Sequence, residues 1–180
     1  MNAKKLIAAG AVAVMSLFTS AAFAQAGGGA APTDPQIVGV VTAADHIDIA
    51  TARLALKKTK NDQVKQFAQQ MIDDHTKLQQ SVNDLGKKLG VKAEPSAISK
   101  SLHTAAAAEN KKLRGLKGKA FDKEYIDHEV AYHQQVIDAA SKVLIPNAKN
   151  AELKSALEGA APLLQGHLEH AKQIQSALGS

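Results

Sequence analysis

The sequence predicts an all-α protein built as a four-helix bundle, and three observations favour this fold class. Four long stretches carry apolar residues every three to four positions, which is the period of an amphipathic helix. Alternating apolar and polar residues, the pattern of a half-buried strand, are nearly absent. The first and second stretches are joined by a short turn, as are the third and fourth, whereas about thirty residues separate the second from the third.

Composition limits the function classes that the chain can belong to. The 180 residues are 45% hydrophobic and 22% charged, as expected for one globular domain. The absence of cysteine excludes disulfides, iron–sulfur clusters and cysteine-bound zinc, so a metal would have to be held by His, carboxylate or Met. Few aromatic residues, 3% of the chain, argue against nucleic acid as a partner.

The N-terminal residues are typical of an export signal. Two lysines precede an apolar run over 6–18, and the small-residue motif Ala22-Phe23-Ala24 follows. A membrane-spanning helix needs about 20 apolar residues, so this run predicts cleavage rather than anchoring, and we expect no transmembrane segment in the mature chain. The expected location is the periplasm, with peripheral association with the outer membrane left open. The predicted organisation is a signal peptide over 1–24, a flexible linker over 25–33 and the helical bundle over 34–180.

The first two bundle helices are delimited by clear end signals. Asp34 is expected to be the N-cap of the first helix, with Pro35 at its first position, and this helix ends near Lys60. The second helix is predicted over about 62–89, with Gly90 as its C-cap.

The remaining elements are a connecting helix and two further bundle helices. The connecting helix is predicted over about 98–113, the third bundle helix over about 121–144 and the fourth over about 150–178, where Pro162 is expected to introduce a kink. Short turns make each pair of helices antiparallel. The long helical crossover should span the bundle and leave the second and third helices parallel, which is the ferritin-like topology.

Each bundle helix carries a polar, metal-competent side chain on its apolar face. On the second helix, His75 lies between Met71 and Leu78. On the fourth, His167 lies among Leu163, Leu164 and Ala171. On the third helix an acid and an imidazole are four residues apart, and therefore neighbours. The candidate metal ligands are Asp48, His75, Glu129, His133 and His167.

These residues also match in height along the bundle. Asp48 lies 12 residues before Lys60 and His75 lies 15 after it. An offset of three residues corresponds to about 4.5 Å, which is within reach of a side chain. The sequence therefore predicts one layer in which two carboxylates and three imidazoles meet around a single transition-metal ion, with zinc, copper, nickel, iron and manganese as candidates.

Several further residues are weaker candidates. Asp74, Tyr125 and His170 are expected either to support the ligands or to have no part in the site. His128 is placed at the rim of its helix, without a role. A basic cluster near the start of the third bundle helix is a candidate contact for anionic lipid or an acidic partner, although solvated lysines explain it equally well. It consists of Lys111, Lys112, Arg114, Lys117, Lys119 and Lys123.

Short motifs along the chain are similar to those of a known bacterial family. They are Asp34-Pro35-Gln36-Ile37, Ile47-Asp48-Ile49, Phe67-Ala68 with Asp74-His75, Phe121-Asp122 with Tyr125, Glu129-Val130-Ala131-Tyr132-His133, Leu144-Ile145-Pro146, Glu152-Leu153-Lys154 and His167-Leu168-Glu169-His170-Ala171. Together they resemble the DUF4142 family, whose members are exported ferritin-like domains often labelled as outer membrane proteins. The resemblance covers nearly all of the mature chain and implies the fold and export, but it brings little information about biochemical role.

Ferritin di-iron centres differ from this pattern. They use Glu-x-x-His motifs on two helices, whereas here Ile72 precedes His75 by three residues and Leu164 precedes His167 by three. A mononuclear, histidine-rich site is therefore favoured over di-iron chemistry.

Three function classes remain open at the level of sequence. The leading interpretation is a periplasmic metal-binding protein. The alternative is a metal-free envelope-stress or interaction module in which the buried polar layer is structural. A metal-dependent redox enzyme is a third interpretation, which rests only on analogy with the three-histidine and aspartate ligands of superoxide dismutases. Sequence does not determine the ion, the substrate or the oligomeric state.

Overall fold

The computed structural model describes residues 31–179, and every regular element within that range is helical. The predicted signal peptide and most of the predicted linker lie outside the described residues. No helix within 31–179 combines the length and hydropathy that crossing a membrane requires. The helices are α1 (Asp34–Lys58), α2 (Asp62–Leu89), α3 (Ala97–Gly115), α4 (Gly118–Ala139) and α5 (Ala151–Gly179); a π-helix (Ala140–Leu144) and a short α-helix (Ile145–Asn147) follow α4.

The helix α3 is the predicted crossover and runs the full length of the bundle beside α1. Near the start of α1, the amide of Glu94 donates to the carbonyl of Pro35 at 2.9 Å. At the end of α1, Nζ of Lys58 donates to the carbonyl of Leu113 at 2.8 Å. The chain thus returns to the end where α2 began, so α2 and α4 run parallel. This confirms the predicted ferritin-like four-helix bundle of α1, α2, α4 and α5.

Close approach between α1 and the start of the crossover depends on a glycine. A Cβ atom on Gly39 would lie 2.0 Å from the carbonyl oxygen of Glu94. Because such a contact is far inside van der Waals distance, only glycine fits at this position of α1.

The start of α1 differs in detail from the prediction. The N-cap is Thr33, which forms a capping box with Gln36, and not Asp34. The carboxylate of Asp34 instead accepts hydrogen bonds from the amides of Lys149 (2.8 Å) and Asn150 (2.9 Å). It therefore fastens the start of α5 to the start of α1.

Other helix boundaries agree closely with the sequence pattern. The helix α2 has the predicted bounds, and Gly90 ends it in the left-handed conformation with φ 67°. The third bundle helix begins earlier than predicted, at Gly118, and its last turn widens into the π-helix. Leu163, placed by sequence on the apolar face of α5, is 37% exposed, whereas Leu164 is buried.

The core consists of two apolar clusters, one toward each end of the bundle. The aromatic cluster comprises Ala52, Ala55, Val64, Phe67, Ala68, Met71, Leu113, Phe121, Tyr125, Ile126, Ala171 and Ile174. The cavity-side cluster comprises Ile37, Val38, Val40, Ala44, Ile47, Ile98, Leu102, Ala106, Tyr132, Leu144, Leu153 and Leu157. On α1, α4 and α5 the candidate ligands lie between residues of the two clusters. On α2, His75 lies between Met71 of the aromatic cluster and Val82, which packs against the cavity-side cluster.

Candidate metal centre

All five candidate ligands lie in one buried layer, each no more than 4% exposed. The three imidazole rings form a triangle. Ring centroids are separated by 5.7 Å between His75 and His133, 5.3 Å between His75 and His167, and 5.4 Å between His133 and His167. The carboxylates of Asp48 and Glu129 adjoin this triangle. The four helices therefore bring together the side chains that sequence placed at one height.

One nitrogen of each imidazole faces outward and donates to an oxygen. The bonds are His75 Nδ1 to Asp45 Oδ1 at 2.8 Å, His133 Nδ1 to the carbonyl of Glu129 at 3.0 Å, and His167 Nε2 to Asp74 Oδ2 at 3.1 Å. Because each partner is a carboxylate or a carbonyl, the outer nitrogen is the one that carries the proton. These hydrogen bonds fix both the tautomer and the orientation of every ring.

The inner nitrogen of each ring has no hydrogen bond among residues 31–179. These atoms are His75 Nε2, His133 Nε2 and His167 Nδ1. In a neutral imidazole whose outer nitrogen is protonated, the inner nitrogen presents a lone pair. The three residues can each offer a ligand atom within 4.8 Å of the others. Three lone pairs thus face a common centre with no donor between them.

The spacing of the rings fits a tetrahedral metal ion. With metal–nitrogen distances near 2.0–2.1 Å, three imidazole centroids would lie about 5.2 Å from one another. The observed separations of 5.3 to 5.7 Å exceed this value by about half an ångström at most. Small rotations of the side chains would close the difference.

Asp48 is the carboxylate best placed to accompany the imidazoles. Its Oδ2 atom lies 3.3 Å from His75 Nε2 and 3.6 Å from His133 Nε2. Both of its carboxylate oxygens are buried without a hydrogen bond. A carboxylate in this condition carries a desolvation cost unless a cation or a proton lies next to it.

Glu129 occupies the edge of the layer next to the aromatic cluster. Its Oε2 lies 3.4 Å from His133 Nδ1, and neither carboxylate oxygen makes a hydrogen bond. Burial and the charge of Asp48 raise the pKa of Glu129 well above its usual value. With Asp48 and His133 it forms a second group whose ligand atoms lie within 4.8 Å.

The imidazoles differ in their protonation. Burial lowers the pKa of His133 to about 4 and also lowers the pKa of His167. Burial acts in the same direction on His75, but Asp48 and Asp45 outweigh it, and the pKa of His75 is raised. At neutral pH His133 and His167 are therefore uncharged and offer lone pairs. Because the pKa of His75 is raised, a proton competes with a metal ion for its nitrogen at a higher pH than at the other two rings.

The weaker sequence candidates divide into two groups. Asp74 supports His167 from outside the layer. Tyr125 is buried next to Glu129, and burial together with the neighbouring Glu129 raises the pKa of Tyr125. His170 lies outside the layer, where its Nδ1 is 3.0 Å from Oε1 of Gln70.

Sequence reasoning missed Asp45 and misplaced His128. Asp45 is 3% exposed and accepts a hydrogen bond from His75. It lies three residues before Asp48 and therefore on the same face of α1, which is the sequence signal that could have identified it. His128 is not at a rim but 7% exposed, with its ring stacked on Tyr132 at 5.4 Å, and burial lowers its pKa to about 4.

All six residues of the basic cluster are exposed. Two of them are paired with acids on α4, Lys112 with Glu124 and Lys123 with Asp127. The cluster is therefore partly neutralised by acids of α4.

Comparisons with known proteins agree with this fold. A family model described as a domain of unknown function (DUF4142) matches residues 19–174. Among solved structures, one described as CopM in the Cu(II)-bound form is similar, with a TM-score of 0.63 and 18% sequence identity over 81% of this chain and 98% of that chain. No curated protein matched.

Proposed function

The chain belongs to the DUF4142 family, and we propose that it is an exported protein that binds one transition-metal ion between its four bundle helices. His75, His133 and His167 would supply nitrogen ligands, and Asp48 would supply a carboxylate oxygen. Glu129 would adjust the charge of the site from the side of the aromatic cluster. The observation that carries the proposal is the set of three inward nitrogens without hydrogen bonds.

A metal ion explains this layer better than a structural polar network does. Seven buried atoms of the five residues lack hydrogen bonds, namely both oxygens of Asp48, both oxygens of Glu129 and the three inner nitrogens. A structural network in a native core normally has its donors and acceptors paired, because each unpaired buried group costs roughly 1–3 kcal/mol. One cation would satisfy several of these acceptors at once.

The pattern of partners around the rings supports the same conclusion. In metal sites the second nitrogen of a ligating histidine usually donates to a carboxylate or a backbone carbonyl. Asp45, the carbonyl of Glu129 and Asp74 provide these acceptors here.

The donor set favours ions that accept imidazole. Nitrogen-rich sites suit zinc, copper, nickel and iron, whereas manganese prefers oxygen ligands. Among divalent ions Cu(II) generally binds such sites most tightly. Because the similar CopM structure is described as Cu(II)-bound, copper and zinc are the first two ions to test.

A titration with matched histidine variants tests the proposal. The full mature chain, stripped with a chelator, is titrated with Cu(II) and with Zn(II) by calorimetry, and bound metal is counted by elemental analysis. We expect one ion per chain in the wild type and its loss in His75→Ala/His167→Ala. His46→Ala/His103→Ala removes two exposed histidines and should keep the ion. Binding that is absent in the wild type, or equal in both double variants, would refute the proposal.

A further inference from the structure

A cavity of about 110 Å³ lies within the cavity-side cluster and reaches the candidate metal layer. Its walls are almost entirely apolar and come from all four bundle helices. The polar side chains Asp45, Asp48, His75 and His133 lie together along it, and Leu157 and other aliphatic residues line the remainder. The cavity is therefore polar where it meets the layer and mainly apolar elsewhere.

The cavity extends to the surface between α2 and α5. Ser81 on α2 and Ala156 on α5 line it and are exposed, and Ala160 lines it and is half-buried. Ala140 and Leu144 of the π-helix also line the cavity, and π-helical turns are often found at functional sites.

Asp45 provides a free acceptor at the polar end. Its Oδ1 accepts the hydrogen bond from His75, whereas its buried Oδ2 has no partner among the described residues. Asp45 is not among the proposed metal ligands, so this oxygen is available with or without an ion. The other unpaired polar atoms of the wall belong to Asp48, His75 and His133, which are the proposed metal ligands. The hydroxyl of Tyr132 is engaged, since it donates to the carbonyl of Ala44 at 3.1 Å.

We propose that this cavity binds a small, mainly apolar organic molecule whose single uncharged hydroxyl donates to Oδ2 of Asp45. An engineered apolar cavity of roughly 150 Å³ accommodates benzene, so a cavity of about 110 Å³ that also reaches the surface suits a molecule of similar heavy-atom count. An ammonium group would lose much more hydration free energy than a hydroxyl on entering a cavity with apolar walls. The ligand class is therefore a compact alcohol or phenol.

Methyl NMR spectra of the full mature chain, titrated with phenol, test this inference. Saturable shifts should be confined to cavity methyls such as those of Leu78, Val82 and Leu157, and should be absent at Leu113 in the aromatic cluster. Benzene has the same shape but lacks the hydroxyl. It should bind about tenfold more weakly or worse, because the hydrogen bond to the buried Oδ2 of Asp45 is lost.

Two variants separate the cavity from the surface of α5. Ala160→Leu fills the cavity and should remove the phenol shifts, whereas Ser155→Leu adds the same side chain at an exposed position and should preserve them. Zinc content is measured on the same samples, and both variants should bind zinc as the wild type does. The test of phenol binding is thus independent of the test of metal binding.

Several results would overturn the inference. They are the absence of saturable shifts, shifts spread over both clusters, and phenol binding that survives Ala160→Leu. Equal affinity for phenol and benzene, loss of phenol binding on zinc loading, or tighter binding of butylamine would each contradict a neutral hydroxyl at Asp45. The phenol-induced shifts of the wild-type protein test the inference even if a variant does not fold.

Discussion

The two ends of the bundle core are packed differently. In the aromatic cluster Phe67, Phe121 and Tyr125 are fully buried, with ring centroids 6.2 Å apart for Phe67 and Tyr125 and 6.3 Å apart for Phe121 and Tyr125. The cavity-side cluster encloses the cavity of about 110 Å³. The polar layer lies at the boundary between them. The aromatic end is therefore filled by side chains, whereas the other end keeps space beside the polar layer.

The difference arises from the sizes of the side chains that face inward. Aromatic rings fill the space between helices at one end, whereas short side chains such as Ala44, Ala139 and Ala160 face the cavity at the other. The π-helix widens the same end of α4. Interiors normally pack as densely as organic crystals, so such a gap marks a place where packing was not the only requirement.

The largest expected contrast is between two leucine truncations. Leu113→Ala removes a fully buried side chain from the aromatic cluster, and Leu157→Ala removes one that already borders the cavity. We expect losses in the free energy of unfolding of about 4 kcal/mol and about 2 kcal/mol, because Leu157 gives up fewer contacts. Denaturant unfolding of both variants measures this. Equal losses, or a larger loss for Leu157→Ala, would contradict the contrast in packing.

A smaller contrast is expected between the two carboxylates that accept hydrogen bonds from candidate ligands His75 and His167. Asp45 is buried on the cavity side and holds His75, whereas Asp74, whose side chain is 22% exposed, holds His167. Asp45→Ala should weaken metal binding roughly tenfold to a hundredfold. Asp74→Ala should have a smaller effect, since water can replace its oxygen. Competition titrations against a chelator give both affinities, with the exposed Asp73→Ala as the unchanged control. A greater loss for Asp74→Ala would reverse the assignment.

The smallest expected effect concerns Glu109, on the crossover helix that spans both ends of the core. Burial and the charge of Glu124 raise the pKa of Glu109 to about 7. The folded state therefore holds this proton more tightly than the unfolded state, and stability falls as pH rises from about 4.5 to about 7.

Glu109→Gln mimics the protonated acid and should remove that penalty. At pH 8 we expect a gain on the order of 1 kcal/mol, which is a few degrees in melting temperature, and at pH 4 we expect none. Thermal unfolding at both pH values measures this, with the exposed Glu94→Gln as the control. A gain of equal size at pH 4 would show that the charge of Glu109 is not responsible.

Much of the architecture could be predicted because it depends on the backbone period. The apolar stripes and turn lengths define the helices and the crossover, and the angle of each polar residue on its stripe places His75, His133 and His167 inside. These features follow from repeats of 3.6 residues and need no knowledge of neighbouring helices.

Other features depend on how side chains meet, and sequence alone did not reveal them. Thr33 caps α1 because the carboxylate of Asp34 is engaged by α5, a contact between residues more than a hundred positions apart. Asp45 was overlooked because its role depends on the orientation of His75. The cavity is the volume left after packing, which no single helix encodes.

The central claim is that three imidazoles from three helices ligate one ion. X-ray absorption spectroscopy of the copper-loaded protein tests it most directly, since the fine structure counts imidazole ligands by their multiple scattering. We predict three imidazoles at about 2.0 Å in the wild type and two in His167→Ala. A spectrum dominated by oxygen, or the same imidazole count in both proteins, would contradict the account.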